Sequence, residues 1–468
     1  MAIQLGSVSW PQKRVPMDAT HGLTVLVALL ALLGVIYAAW PIWRALFPME
    51  IGLNEPWNAF YAELARQGGV LYPSAGALSA NDYPPLSFYF IGMLTALTDG
   101  DAIYLGRFLS FVAVAIVALC TAACVRLFAG TRLAATVAAF WFLATVFRFF
   151  DDYVGMNDPH LPALAIMTAA LVWALHLQAH NRAVEPAILL MVLAGFYKHS
   201  LIATPVTALL WIGLNNWRLG LRAALTGTIA VVTGFAICGL LYGGAFFQQL
   251  MPLRVYSIGA SLASIGQLQW IAPALAIWAV WAWNDRNSSA ARFSGIYVAA
   301  GLLAYFLQKL RAGVAGNAQF ELLTATAIGL GFALSRSFAF PIQRRWGTHR
   351  VLVLCLLILI ARLLLSSGLE AYLVLASSDY RKQFADNGEV TAREIERVRS
   401  LPGLVHCSVM TVCMRAGKGV MLEPFTLQQR VETGLLAKDA LNAQIEAASV
   451  RRIEVDPRAN AEVLQRRL

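Results

Sequence analysis

Charge is scarce in this sequence. Of 468 residues only 13% are Asp, Glu, Lys or Arg, about half the share of a soluble domain. That excludes an ordinary water-soluble fold. Cysteine is sparse as well, six in the whole chain, which excludes a disulfide-built scaffold. There is no Gly-rich phosphate loop, no His-Glu-x-x-His zinc pattern and no Ser-centred nucleophile elbow. Internal repeats of the kind that transporters are built from are not evident either. Apolar residues, by contrast, make up 59% of the chain and mean hydropathy is +0.62, far too apolar for a disordered segment. The chain reads as a polytopic membrane protein.

The net charge of +10 comes from 36 Lys and Arg against 26 Asp and Glu. In a soluble protein that excess would suggest nucleic acid. A membrane protein collects such an excess on its cytoplasmic side, so no nucleic-acid partner is expected. Stretches of roughly 20 apolar residues fall at 22–43, 103–125, 132–147, 159–178, 185–197, 200–214, 223–243, 267–283, 293–308, 318–335 and 350–367. The first follows Lys13 and Arg14 without a small-residue cleavage site and reads as a retained anchor. With the N-terminus in the cytoplasm, thirteen basic residues, among them Lys13, Arg14, Arg336, Arg344 and Arg345, fall in the inner segments, and eight fall outside. The expected fold class is an all-α polytopic membrane protein of about eleven transmembrane helices, ten to thirteen at the limits. The first outer loop (44–102) carries interfacial helices, and a small soluble α/β domain follows at 368–468.

That last segment is charged and lacks a long apolar run. It shows a helical stretch at 391–400, alternation over 405–413 and a turn at Ala416-Gly417-Lys418-Gly419, followed by an extended 420–422. Two helical stretches at 426–433 and 438–447 and a strand at 452–455 complete it. Eleven spans place it outside, and one span more or fewer would place it in the cytoplasm. If 405–413 is one strand, Cys407 and Cys413 lie roughly 20 Å apart, too far to bridge. A disulfide needs a turn between them.

The outer loops hold the residues that carry chemistry. In the first, Glu55 precedes Pro56 at the start of an amphipathic aromatic run that includes Trp57, Phe60 and Tyr61. Tyr83-Pro84-Pro85 then stops any preceding helix, and 86–97 reads as an interfacial helix. In the second, Asp158 stands at the lip of a span with Pro159 behind it; an ionisable group against hydrocarbon is either a helix cap or functional. Lys198 sits between two apolar runs and must snorkel, pair or bind an anion; His199 beside it reads as a packing or hydrogen-bonding neighbour. Arg254, Lys309 and Arg311 add cations, and Asn317 and Glu321 open the tenth span. Together they suit a phosphate or diphosphate held at the outer face.

In order and sidedness these motifs resemble the type-C glycosyltransferases that use lipid-linked sugars. The branch is that of the dolichyl-phosphate-mannose–protein mannosyltransferases and lipid A aminoarabinose transferases. The matching residues are Asn54-Glu55, Gly68-Gly69-Val70-Leu71-Tyr72-Pro73, Tyr83-Pro84-Pro85-Leu86, Gly106-Arg107, Asp158 and Lys198. In the tail, Leu401-Pro402-Gly403, Ala416-Gly417-Lys418 and Glu423-Pro424-Phe425 also match. The resemblance implies an integral membrane enzyme, and the Arg-rich, Lys-poor composition and compact loops suggest a bacterial inner membrane. By that resemblance it would move a sugar from a polyprenyl-phosphate donor to a glycolipid, polysaccharide or protein hydroxyl, with inversion. Glu55 and Asp158 would be the catalytic acids, with Glu55 as general base. Lys198, Arg254, Lys309 and Arg311 would hold the donor phosphate. Asn54, Tyr83, His199, Asn317 and Glu321 would contact sugar or acceptor. Where the family often has two adjacent acids, this sequence has Asn54 before Glu55, which leaves a bridging divalent metal unsupported; no cofactor is expected. The rival readings are a polysaccharide polymerase or ligase using a lipid diphosphate, a lipid or sugar transporter, and a scaffold without activity.

Overall fold

The computed structural model describes residues 17–74, 76–335, 348–365, 368–419 and 422–461. Lys13, Arg14, Arg336, Arg344, Arg345 and most of the extended stretch expected at 420–422 lie outside the described residues. The chain begins with α1 (Met17–Ala45), and the first loop then folds into α2 (Asn54–Gln67) and α3 (Leu86–Thr98). α4 (Ala102–Leu127) starts where Asp101 accepts from the Ile103 and Tyr104 amides, the side-chain cap that leaves fewest orphan donors. Next come α5 (Arg132–Phe149), α6 (His160–Ala179), α7 (Glu185–Tyr197), α8 (Ala203–Asn215) and α9 (Trp217–Tyr242). Three short helices follow: α10 (Gly244–Leu250), α11 (Ile258–Ala263) and, after a 3-10 turn, α12 (Ala272–Asn284). α13 (Ser289–Lys309), α14 (Phe320–Ser335) and α15 (Thr348–Leu364) complete the apolar part.

Seven of these helices are long and apolar enough to cross a membrane: α1, α4, α5, α6, α9, α13 and α14. The stretch 258–284 would be an eighth but bends by 85°. The remaining expected spans are short apolar helices, α7, α8 and α15. At 13 residues, α7 and α8 are each about 20 Å long, against a hydrocarbon core of about 30 Å. Among the described residues the count of full-length spans is therefore seven or eight, where the sequence suggested about eleven. Hydropathy alone does not separate a half-length helix from a full one.

Burial differs sharply between helices. α14 is enclosed by α4, α5, α12 and α13, and 94% of its apolar window is buried. Two of its glycines make that possible: a Cβ on Gly329 would stand 2.4 Å from the Trp278 ring, and one on Gly331 2.5 Å from Val125. At the other extreme only 11% of the α9 window is buried. Its exposed Ile229, Val232, Leu240 and Leu241 form the apolar surface that lipid covers in a membrane protein.

The tail continues with α16 (Glu370–Ala376), α17 (Ser378–Arg399), β1 (Val405–Cys407), α18 (Met410–Arg415), α19 (Pro424–Glu432), α20 (Lys438–Ala447) and β2 (Arg451–Ile453). β1 and β2 pair in parallel with His406 opposite Arg452. The strand expected over 405–413 stops at Cys407. The chain turns there and enters α18, which carries Cys413 back, and the two cysteines form a disulfide with their Cα atoms 5.6 Å apart. The tail also packs against the helical body. Phe384 lies 5.3 Å from the Trp40 ring, and Glu50 bridges to Asn460.

Candidate functional site

The loops after α1, α5, α7 and α13, the segment before α11 and one stretch of the tail converge on a chamber of about 480 Å³. All leave the helices at the same end of the bundle, so chain alternation gathers residues more than 350 positions apart.

One wall rests on a closed ion pair. Glu55 stands in the first turn of α2 and Arg107 in the second turn of α4. Gly106 lets that turn approach closely, since a Cβ there would lie 2.0 Å from Asn157 Oδ1. Arg107 donates from Nε to Glu55 Oε1 at 2.7 Å and from Nη2 to Oε2 at 2.6 Å. It also donates to the carbonyls of Ala45, Phe47 and Met49 at 3.1, 2.5 and 2.6 Å. Glu55 accepts two further bonds, from the Ile51 and Asn157 amides, both at 3.2 Å. Both side chains are buried, and neither lines the chamber.

Asp158 caps α6 through the His160 amide at 2.8 Å, and its second oxygen accepts from Asn54 Nδ2 at 3.3 Å. It lies in a narrow cleft with Ser87, Gly106, Asn157 and Tyr197. Asn54 faces the chamber from the other side of that hydrogen bond.

The cations are inside. Lys198 Nζ stands 3.1 Å from the centre of the Tyr83 ring. Arg254 donates to Asp82 at 2.5 Å and lies over the Phe425 ring at 4.4 Å. Arg311, His199, Ser200 and Asn317 complete that side, with Asn317 Nδ2 3.2 Å from His160 Nδ1. Four buried polar atoms on this wall find no hydrogen-bond partner among the described residues: Arg254 Nε, Arg311 Nε, His199 Nδ1 and Ser200 Oγ. Burial pulls the Lys198 ammonium down to about 8, partly opposed by the carboxylates of Asp158 and Asp82. Burial and then the Lys198 charge hold His199 down to about 4, so its ring is neutral. Burial raises the Glu423 carboxyl, against its bonds to Thr426.

Seven of the residues singled out from sequence line the chamber: Asn54, Tyr83, Lys198, His199, Arg254, Arg311 and Asn317. Asp158 adjoins it through Asn54. Three stand apart from it. Glu55 is spent in the Arg107 pair. Lys309 donates to the Val314 carbonyl at 2.9 Å, shaping the loop that carries Arg311. Glu321 accepts from the amides of Ile202, Ala203 and Thr204 and from the Thr204 hydroxyl. It anchors the start of α8, the sort of end that needs an acceptor. Asp82, Asp152, Glu423 and Phe425 line the chamber as well and were not singled out. Asp82 directly precedes the Tyr83-Pro84-Pro85 motif and the Glu423-Pro424-Phe425 stretch was itself a quoted motif, but nothing local says which way they face. Among the described residues no three His, Cys, Asp or Glu side chains converge as a metal-ligand set.

No protein-family model and no curated protein matches this sequence. Solved structures do. ArnT from Cupriavidus metallidurans in the apo state is 12% identical, with 89% of each chain covered and a TM-score of 0.58. ArnT from the same organism bound to undecaprenyl phosphate is 16% identical, covering 92% of this chain and 90% of that one, with a TM-score of 0.57. The fold is that of ArnT. It is also the fold that the sequence motifs implied, and at these identities the likeness speaks to the fold alone.

Proposed function

We propose that the protein is an integral-membrane glycosyltransferase that moves a sugar from a polyprenyl-phosphate donor to an acceptor hydroxyl. The observation that carries this reading is the row of buried polar atoms on the cationic wall without a hydrogen-bond partner among the described residues, the donors Arg254 Nε and Arg311 Nε with His199 Nδ1 and Ser200 Oγ. A buried donor without a partner costs free energy that a bound acceptor returns. Two arginines and a lysine make that acceptor an anion, and phosphate suits their forked geometry. The ArnT-like fold adds a lipid carrier to the anion, because one of the ArnT structures holds undecaprenyl phosphate.

The lipid tail lies among the helices and its phosphate on Lys198, Arg254 and Arg311. The acceptor hydroxyl enters from the Asn54 side and gives its proton to Asp158, with Asn54 moving off that carboxylate as the acceptor arrives. The acceptor oxygen bonds to the anomeric carbon as the carbon–oxygen bond to phosphate breaks. The configuration inverts, and the leaving polyprenyl phosphate keeps the bond electrons. The three cations stabilise the charge that grows there. Glu55 takes no proton in this scheme: its two oxygens already accept four bonds, so it positions the loop that presents Asn54. The chamber would face the outside of a bacterial inner membrane.

The test is sugar transfer by purified protein in lipid vesicles, offered a panel of polyprenyl-phosphate sugars together with membrane-extract acceptors. Turnover in the wild type that vanishes in Asp158→Asn, with donor still bound, supports the scheme. If no donor is bound or consumed, the reading fails.

A further inference from the structure

The tail helix α19 lies across the two halves of the cationic wall. Its first residue, Pro424, follows Glu423, whose carboxylate caps the helix at the Thr426 amide, 2.5 Å away. Three bonds then stitch the segment to loops far away in sequence. The Glu423 amide donates to the Leu78 carbonyl at 3.0 Å, and Arg430 donates to the Ala77 carbonyl at 2.7 Å. Gln429 Oε1 accepts from the Val255 amide at 2.9 Å, one residue from Arg254. The segment thus holds the loop that leads to Asp82 at both its ends, and at Gln429 it also holds the loop that carries Arg254.

Between these ties Phe425 is seated on a glycine. Gly313 has a φ of +80°, and a Cβ there would stand 2.1 Å from the Phe425 ring, so both the backbone and the ring require glycine. The same ring carries the Arg254 guanidinium at 4.4 Å. Asp82 takes one guanidinium nitrogen, Phe425 takes the face, and Nε is left without a partner among the described residues. Arginine is suited to such a triple arrangement because its planar fork stacks and bonds at once.

We propose that Phe425 is a positioning residue for the donor-phosphate site, acting through Arg254, and that α19 is the strut that holds it there. This rests on the donor reading above. The helical body supplies Lys198 and Arg311 on its own loops, whereas the third cation takes its orientation from a ring more than 170 residues further along the chain. The tail therefore contributes to donor affinity through Arg254.

The experiment is polyprenyl-phosphate binding to purified full-length protein in detergent. Wild type, Phe425→Leu, Phe425→Tyr, Arg254→Gln and the Phe425→Leu/Arg254→Gln double variant are compared. Leucine fills the seat on Gly313 but has no aromatic face. It should weaken binding about 3- to 30-fold, the range of a desolvated cation–aromatic contact. Tyrosine should stay within about twofold, since it keeps that face. The double variant should bind no more weakly than Arg254→Gln alone, because a residue acting through another is non-additive with it. Wild-type affinity in Phe425→Leu, or losses that multiply in the double variant, would overturn the proposal. Should Phe425→Leu not fold, the same cycle with Gln429→Ala decides it: that change cuts the tie between α19 and Val255, binding should weaken non-additively with Arg254→Gln, and wild-type affinity would overturn the proposal. A wild type that binds no polyprenyl phosphate removes the donor reading itself, and this inference with it.

Discussion

The same end of the bundle holds two clusters of charge, the buried Glu55–Arg107 pair and the wall of buried Lys198 and Arg254 with half-buried Arg311, and they are completed in different ways. In the first, every hydrogen-bonding site of the carboxylate is used and the guanidinium reaches three backbone carbonyls besides. In the second, two guanidinium Nε atoms, a ring nitrogen and a hydroxyl are buried with no partner among the described residues. Both clusters cost desolvation. The first is repaid within the chain and so belongs to the fold. The second is left for something that arrives, which makes it the better marker of a binding site. Between these two clusters, the completeness of the hydrogen bonding is what differs.

The sharpest way to break this contrast is to compare the two carboxylates. Asp158→Asn should lower turnover by about 10²- to 10⁴-fold while donor binding and the unfolding midpoint hold. Glu55→Gln should instead lower the unfolding midpoint, with turnover falling only as folded protein is lost. A transfer assay beside thermal unfolding in detergent reads both, and the opposite pattern would return the base role to Glu55. Next in size is Arg107→Met, expected to destabilise by about 3–5 kcal/mol because it strands a buried carboxylate. Adding Glu55→Leu should restore only part, since the Ala45, Phe47 and Met49 carbonyls still lack a donor; unfolding of single and double variants checks this.

On the cationic wall, Arg311→Ala should cost about 10- to 100-fold in polyprenyl-phosphate affinity, the scale of a charged hydrogen bond, with no loss of stability. The pH dependence is a finer probe. Lys198 is held down to about 8, so it is charged below that pH and neutral above. A sugar phosphodiester keeps its single negative charge throughout this range. Donor affinity should therefore fall as pH rises past about 8, by at most about tenfold per pH unit. In Lys198→Arg the fall should disappear, because arginine stays charged.

Much of the architecture was legible because hydropathy and loop alternation are local signals. Most of the apolar stretches became helices, and seven of the residues picked from the loops meet in one chamber. What was not legible depends on contacts distant in sequence. Glu55 looks like a free acid until Arg107, 52 residues away, is seen to close on it. Glu321 looks like a ligand-facing acid until α8 starts on it. The disulfide could not be read because alternation over 405–413 resembles a strand, while the chain turns after Cys407. Phe425 had no periodic signal at all; only the glycine and the arginine packed against its ring give it a role.

The most direct test of the contrast uses one protein and one lipid. The Lys198→Ala/Arg311→Ala variant removes the buried Lys198 and the half-buried Arg311 from the chamber and leaves the Glu55–Arg107 pair intact. Without lipid its unfolding midpoint should match or exceed that of the wild type, because it no longer holds charge out of water for an absent partner. With polyprenyl phosphate added, the wild-type midpoint should rise through ligand linkage and the variant's should not. A variant that keeps the lipid-induced rise would show that the phosphate binds elsewhere, and would contradict the account.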